Sequence, residues 1–280
     1  MSISHFRSLL FVPATSDHLW QKASSRGADA VVVDLEDAIP FNRKDIARTM
    51  APNAIKLLKQ EGAQVVLRVN SEPDLWQQDL VGMPLESLSA IMLPKVEALD
   101  QVVNFAKALE SISLGNTPPI AALIETPLGV LAAGNIASHP SLCALGFGAE
   151  DYAGFLGVSP QASALAWPAQ QVITCAHAYR LQCWGLAASI AEVSDMALFG
   201  KNVAIARDMG FTGSVCIHPK QVEVVNTGFS PSAAELEWAS RVIHADQVAL
   251  EKGLGAVLLD GKMIDRPIVD RARRVLSARR

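Results

Sequence analysis

Two carboxylates stand out because each closes an apolar run. Ile120-Ala-Ala-Leu-Ile leads into Glu125, ahead of Thr126 and Pro127, and Cys143-Ala-Leu-Gly-Phe-Gly-Ala-Glu leads into Asp151. A short apolar run that stops at an acid reads as a buried parallel strand whose carboxyl end opens into a site. The ends of two adjacent parallel strands lie about 5 Å apart. Carboxylates that close repel unless a cation sits between them. Two hard oxygen ligands without histidine or thiolate partners suit Mg²⁺, with Mn²⁺ as a substitute. His5, His18, His139, His177 and His244 show no HxxxH or HxH spacing, which argues against a histidine-bound zinc. Mg²⁺ on two carboxylates keeps positions open for a chelating α-keto or β-hydroxy acid, and it would polarise the carbonyl or steady the alkoxide. The plainer reading of both acids is a helix N-cap or a loop carboxylate.

Further polar residues gather at the ends of other apolar runs. Asp34, Glu36 and Asp37 follow Ala30-Val-Val-Val; Arg68 and Asn70 close the run from Gln64; Lys95 and Glu97 follow Ala90-Ile-Met-Leu-Pro; His218 follows Gly213-Ser-Val-Cys-Ile. The planar fork of Arg68 suits a carboxylate or thioester oxygen; its alternative is a structural pair with Asp34 or Glu36. Lys95 serves either the site or an ion pair with Glu97 or a strand-two acid. Arg7, at the start of the first strand, is either a substrate contact or a surface ion pair. His218 either touches the site or braces the rim. Glu150 points away from Asp151 if the strand runs on, which places it behind the metal. This is a constellation for making or breaking a carbon–carbon bond next to a carbonyl. It contains no obvious nucleophile or phosphate loop, and no GxGxxG follows the first strand.

The elements that must position these groups are eight short apolar strands, starting at Ser8, Ala30, Gln64, Ala90, Ile120, Cys143, Gly185 and Gly213. Helices are expected over 17–27, 43–60 (split or kinked near Pro52), 99–111, 168–182 and 198–209. The alternation predicts an α/β chain folded as a (β/α)₈ TIM barrel, whose active sites lie at the carboxyl ends of the strands. A doubly wound open sheet is the alternative. The barrel is expected over 1–222. The remainder, 223–280, reads as a helix started by a Ser232/Glu235 capping box, a hairpin around Asp260-Gly261 and a basic closing helix. That extension is a candidate lid or swapped arm.

Formal net charge is -4 with both signs mixed, which leaves no basic footprint for nucleic acid. No apolar run approaches the roughly 18 residues of a membrane span, and Met1 to Arg7 lacks the pattern of a signal peptide. Cys143, Cys175, Cys183 and Cys216 form no CxxC pair and read as buried reduced thiols, in keeping with the cytoplasm.

Ordered blocks then resemble a known family. Arg7-Ser-Leu-Leu-Phe-Val-Pro13, Gly27-Ala-Asp-Ala-Val-Val-Val-Asp-Leu-Glu-Asp37, Leu67-Arg-Val-Asn70, Leu93-Pro-Lys-Val-Glu97, Ile124-Glu-Thr126, Gly146-Phe-Gly-Ala-Glu-Asp151 and Cys216-Ile-His-Pro-Lys-Gln221 look like the citrate lyase beta-chain-like proteins, grouped with the HpcH/HpaI aldolases. The resemblance implies a Mg²⁺-dependent lyase working in homotrimers or hexamers. It would cleave a β-hydroxyacyl thioester of coenzyme A or an acyl carrier protein. Citramalyl-CoA or malyl-CoA, giving acetyl-CoA and an α-keto acid by retro-Claisen chemistry, is the first expectation. A citrate lyase beta subunit acting on a citryl carrier, or a metal-dependent aldolase releasing pyruvate, are the alternatives. It also implies Glu125 and Asp151 as metal ligands and Arg68 as the group that binds substrate. Asp34, Glu36 and Asp37 would hold metal-bound water, and Asp265 in the lid would be the general acid/base.

Overall fold

The structure is a computed structural model that describes residues 5–113, 115–251 and 253–278. It divides into one compact unit that ends at Phe229 and another that begins at Ser230. In the first, strands and helices alternate: β1 (Ser8–Pro13), α1 (Asp17–Ala23), β2 (Ala30–Asp34), α2 (Lys44–Gln60), β3 (Val65–Arg68), α3 (Pro73–Leu80), β4 (Ala90–Leu93), α4 (Leu99–Ile112), β5 (Ile120–Ile124), α5 (Pro127–Ala137), β6 (Leu142–Phe147), α6 (Ala149–Leu156), α7 (Ala162–Ala178), β7 (Gln182–Gly185), α8 (Met196–Met209), β8 (Ser214–Cys216) and α9 (Pro219–Gly228). The eight strands are parallel, in the order β7-β6-β5-β4-β3-β2-β1-β8. A parallel bridge between Trp184 and Gly213 joins the two ends. This is the expected (β/α)₈ barrel rather than an open sheet.

Side chains alternate across each strand. Leu9, Val32, Val66, Met92, Ala121, Leu123, Ala144 and Trp184 fill the barrel interior. Their neighbours Leu10, Val31, Val33, Leu67, Ile91, Ala122 and Ile124 pack outward under the helices. Burial on both faces is why these strands read as unbroken apolar runs.

Several boundaries differ from the sequence expectation. Asp151 does not end a strand: β6 stops at Phe147, and Asp151 sits in the first turn of α6. The seventh strand is Gln182–Gly185, ahead of the expected run at 185–190. α7 ends early, where Arg180 takes a left-handed backbone (φ 59°), so Cys183 lies in β7 and not at a helix end. α2 runs through Pro52 without a break, because Ala47, Ala51, Ala54, Ile55 and Leu58 bury one continuous stripe on both sides of it. α3, α5, α6 and α9 were not anticipated. α9 belongs to the first compact unit, which ends at Phe229. The four cysteines are free thiols. Burial pushes those of Cys143 and Cys216 up to about 12.

The second unit comprises α10 (Ala233–Glu251), the antiparallel pair β9 (Val257–Leu259) and β10 (Lys262–Ile264), and α11 (Arg266–Ser277). The Ser232/Glu235 box forms: the Glu235 carboxylate accepts from the Ser232 backbone at 2.8 Å, and the Ser232 hydroxyl accepts from the Glu235 backbone at 3.2 Å. Asp260 (φ 50°) and Gly261 (φ 75°) make the tight turn of the hairpin. Ala239, Val242, Ile264, Val269 and Ala272 form the core of this unit. Among the described residues no helix is long and apolar enough to cross a membrane.

Candidate active site

The inward alternation of the strands continues past their carboxyl ends and selects the site. Val32 faces the interior, so Asp34 does too; Val66 is followed by Arg68, and Leu123 by Glu125. β2 and β3 place Asp34 opposite Arg68 in register. Arg68 Nε donates to Asp34 Oδ1 at 2.7 Å and Nη2 to Oδ2 at 2.8 Å, a two-pronged pair. Asp34 is further fixed by the backbone N–H groups of Glu36 (2.9 Å) and Ala38 (3.2 Å). Arg68 Nη1 lies 2.9 Å from Glu36 Oε2 and donates to Asp37 Oδ2 at 3.3 Å. The guanidinium rests over the Phe11 ring, 4.6 Å from its centre. The plain reading of Arg68, a pair with a strand-two acid, therefore holds, and the same guanidinium lines the cavity.

Lys95 joins this network from the loop just past β4. Its Nζ donates to Glu36 Oε1 at 2.6 Å and reaches Asp37 Oδ1 at 3.4 Å. Its backbone is left-handed (φ 53°), a strained state for a side-chain-bearing residue. That twist aims the Lys95 N–H at Glu125 Oε2, 3.0 Å away. Lys44 Nζ donates to the carbonyls of Leu35 and Glu36, each at 2.7 Å, and so fixes the loop that carries the acids.

β6 makes room for its neighbour. Its inward positions past Ala144 are glycines. A Cβ on Gly146 would stand 2.3 Å from Leu123 Cδ2, and one on Gly148 would stand 2.4 Å from Glu125 Cγ. Bare backbone at these two positions is what lets Leu123 and Glu125 occupy the barrel mouth.

The result is a cavity of about 460 Å³. Asp34, Asp37, Arg68, Glu125, Glu150 and Asp151 line its polar side, and Phe11, Leu123, Trp184, Ile190, Val215 and Ile217 its apolar side. Arg68 is the single cation among the described lining residues. Glu125 is 3% exposed, and its carboxyl is pushed up to about 8 by burial, then by the charges of Asp151 and Glu36. Asp151 is raised by burial and by Asp37. Glu36 rises to about 7, burial outweighing Arg68 and Lys95. Asp37 is lowered: burial opposes its charge, but Arg68, a hydrogen bond with Glu36 and Lys95 prevail.

This donor set fits a divalent cation. Two raised carboxylates, Glu125 and Asp151, border one cavity and would each be relieved by a positive charge. Glu36 Oε2 is buried and, among the described residues, lacks a hydrogen-bond partner despite its closeness to Arg68. Among the described residues no cluster of three His, Cys, Asp or Glu forms a ready cage. Two carboxylates completed by water or substrate oxygens are a Mg²⁺-like arrangement.

Of the residues singled out from sequence, Asp34, Glu36, Asp37, Arg68, Lys95, Glu125, Glu150 and Asp151 are brought together. Glu150 lies on α6, not on a strand, and its carboxylate accepts a short hydrogen bond from the Ser189 hydroxyl. Arg7 is elsewhere, at the amino end of β1. Its Nε and Nη2 grip Asp29 at 2.9 and 2.8 Å, so it is the ion pair and not a cavity residue. His218 caps α9 through Nδ1, accepting from the Lys220 N–H at 3.1 Å. Asn70 turns from the cavity to the buried Asp79 (2.7 Å). Asp265 caps α11, accepting from the Ile268 N–H at 3.5 Å. Phe11, Lys44, Gly148 and Ser189 escaped the sequence reading. The spacing of Gly146 and Gly148 beside a strand-end acid was the one signal available for them.

The chain matches the HpcH/HpaI aldolase/citrate lyase family over residues 7–219. It is 32% identical over 281 residues to the citrate lyase subunit beta of Escherichia coli (strain K12), covering 97% of this chain and 92% of that one. It is 31% identical over 274 residues to a (3S)-malyl-CoA thioesterase of Cereibacter sphaeroides (strain ATCC 17029 / ATH 2.4.9), covering 97% and 94%. Among solved structures it resembles the protein CitE of Mycobacterium tuberculosis in complex with magnesium, acetoacetate and coenzyme A. That likeness has a TM-score of 0.79 and 26% identity, and covers 98% of both chains.

Proposed function

This chain belongs to the HpcH/HpaI aldolase/citrate lyase family, a family of lyases, and on that premise we propose that it is a Mg²⁺-dependent carbon–carbon lyase that cleaves a β-hydroxyacyl-CoA of the citramalyl or malyl type to acetyl-CoA and an α-keto acid. The observation that carries this reading is the pair of raised carboxylates, Glu125 and Asp151, facing one cavity with Arg68. Those two acids would hold the metal. When bound, Mg²⁺ supplies the charge that polarises the carbonyl of the departing keto acid. A base in the acid cluster takes the proton of the β-hydroxyl, and the carbon–carbon bond breaks. Arg68, held rigid by Asp34 and Phe11, steadies the enolate oxygen of the acetyl thioester. With the metal bound, Asp34, Glu36 and Asp37 would hold its water. Asp265, on the family resemblance, would return a proton to the acetyl carbon in a neighbouring subunit's site.

The cavity's apolar side supports a small substituent on the keto acid. Phe11, Leu123, Trp184 and Val215 suit a hydrogen or a methyl, whereas the extra carboxylate of a citryl group would call for a second cation. Likeness along 97% of the chain to a citrate lyase subunit beta favours a second reading, a subunit that acts on a citryl carrier thioester. A metal-dependent aldolase releasing pyruvate from a non-thioester acid is the third.

The test is acetyl-CoA release by the full chain from citramalyl-, malyl- and citryl-CoA, with Mg²⁺ and with EDTA. EDTA-sensitive release from the first or second is expected. A folded protein that turns over none of them would refute the free-standing lyase.

A further inference from the structure

The mouth of the barrel is divided into two arcs. In strand order, Asp34 stands on β2, Arg68 on β3, Glu125 just past β5 and Asp151 on α6. The arc from β7 through β8 to β1 brings no charged group to the cavity among the described residues. Ile190 in the loop past β7, Ile217 just past β8 and Pro13 at the end of β1 line it there. Ile217 extends the inward alternation of Val215 one residue beyond its strand, as Glu125 extends that of Leu123, so the two stand at the same level across the mouth. Ile217 is 46% exposed, an apolar side chain bare toward the cavity.

Both isoleucines are held by one side chain. Gln221, in the first turn of α9, is fully buried. Its Oε1 accepts from the Ile217 and His218 N–H groups at 2.8 and 3.1 Å, and its Nε2 donates to the Ile190 and Glu192 carbonyls at 2.7 and 3.1 Å. All the donor and acceptor positions of the amide are used. Capping α9 accounts for the oxygen alone; the nitrogen reaches across to the β7 loop. A second tie comes from α6, where Glu150 accepts from the Ser189 hydroxyl, which itself accepts from the Ala191 N–H at 3.0 Å.

We propose that Ile190 and Ile217 are the specificity-determining wall of this site, that they select a methyl group on the carbon beside the keto acid's carboxylate, and that Gln221 is the positioning residue that fixes their spacing. The proposal rests on the lyase reading above. A keto acid whose polar atoms lie in the acidic arc with the metal and Arg68 turns its remaining substituent toward the opposite, apolar arc. A methyl group fills that space with carbon contacts, whereas a hydrogen leaves a void. A carboxymethyl group would bring a charge to an arc without a cation, at the cost of an unpaired buried carboxylate. The wall discriminates only if it cannot yield, and the Gln221 bracket, with the Ser189 tie, removes the freedom of the β7 loop to move aside.

The experiment is calorimetric titration of the full chain, in Mg²⁺, with pyruvate, glyoxylate and oxaloacetate, which carry a methyl, a hydrogen and a carboxymethyl group at the same carbon. Ile190→Ala and Ile217→Ala should each weaken pyruvate about tenfold and leave glyoxylate within about twofold. Each effect is read as a change from wild type, in which the hydration of glyoxylate cancels. Leu198→Ala, on α8 and outside the cavity, is the control and should change neither. Wild type should bind oxaloacetate at least about tenfold more weakly than pyruvate. Gln221→Met, folded by circular dichroism, should lower the pyruvate-to-glyoxylate ratio as the alanine variants do, a change that lost stability alone would not make. Alanine variants with the wild-type ratio, or oxaloacetate bound as tightly as pyruvate, would overturn the wall; a folded Gln221→Met with the wild-type ratio would overturn the bracket. Citramalyl-CoA turnover is measured on the same samples. Ratios that fall as expected without turnover uphold the wall and overturn the lyase reading; turnover with unmoved ratios overturns the wall alone. A wild type that binds no keto acid overturns both.

Discussion

Replacing Gly148 by alanine should cost the protein its Mg²⁺ affinity while leaving the barrel folded. The backbone there (φ -89°, ψ 90°) does not require glycine, so the effect must come from the added methyl. That methyl would stand 2.4 Å from Glu125 Cγ, 2.6 Å from Oε1 and 2.9 Å from Cδ. Ordinary carbon contacts begin near 3.5 Å, so the carboxylate must retreat by about 1 Å. Metal–oxygen distances tolerate only about ±0.2 Å. A retreat of that size removes Glu125 as a ligand, and a loss of ~100-fold in affinity, about 2.7 kcal/mol, follows. The overpacking itself should destabilise the metal-free protein by ~1–3 kcal/mol. Calorimetric Mg²⁺ titration, paired with melting in EDTA, separates the two effects. Gly154→Ala, on the same helix with nothing within 4 Å of the new methyl, is the control. It should keep wild-type affinity and gain about 0.4–1 kcal/mol of stability. Wild-type Mg²⁺ affinity in Gly148→Ala would refute the assignment of Glu125 as a ligand.

Lys95 offers a test of backbone strain. Both Lys95→Gly and Lys95→Ala lose the Glu36 contact, but only glycine relaxes at φ 53°, so the glycine variant should melt higher, by about 1 kcal/mol; equal melting would discount the strain. The acid cluster predicts a pH dependence. Glu125 and Glu36 are raised from 4.5 to about 8 and about 7, so between pH 4.5 and 8 the folded metal-free state holds protons that the unfolded state has released. Stability in EDTA should therefore fall as pH rises through that window, while the Mg²⁺-induced rise in melting temperature grows; a flat profile would contradict the buried acids. Asp265→Asn preserves a helix cap of equal quality and removes the carboxylate, so melting should be unchanged while proton exchange at the acetyl carbon slows. Unchanged exchange would dismiss Asp265 as the acid/base.

The chemistry was legible where a residue continues a local pattern. Strands buried on both faces must be apolar, so Asp34, Arg68 and Glu125 were conspicuous as soon as the runs ended, and their inward direction followed from the two-residue alternation of a strand. The Ser232/Glu235 cap and the Asp260-Gly261 turn were legible for the same reason, since each is made within a few residues of chain. Asp151 was found as an acid but set on the wrong element, because an apolar run through two glycines reads alike as strand or as strand, break and helix. The Thr126-Pro127 start of α5, with the Gly129 N–H bound to the Thr126 hydroxyl at 3.1 Å, was written in the sequence and went unread. The seventh strand was misplaced because the apolar run Cys183 to Ala188 spans both the true strand and the expected one, and only packing in the barrel chooses which part pairs.

Tertiary structure alone decided which charges meet. Strand register set Arg68 against Asp34, the left-handed turn at Lys95 brought its amide to Glu125, and the absent side chains of Gly146 and Gly148 opened the space those groups use. Arg7 shows the converse: its type suited the site, but it stands at the wrong end of its strand. Composition and periodicity are local properties and determine the elements. Register, ring closure and the fit of one strand's side chains over its neighbour's glycines are relations between distant segments, and those relations build the site.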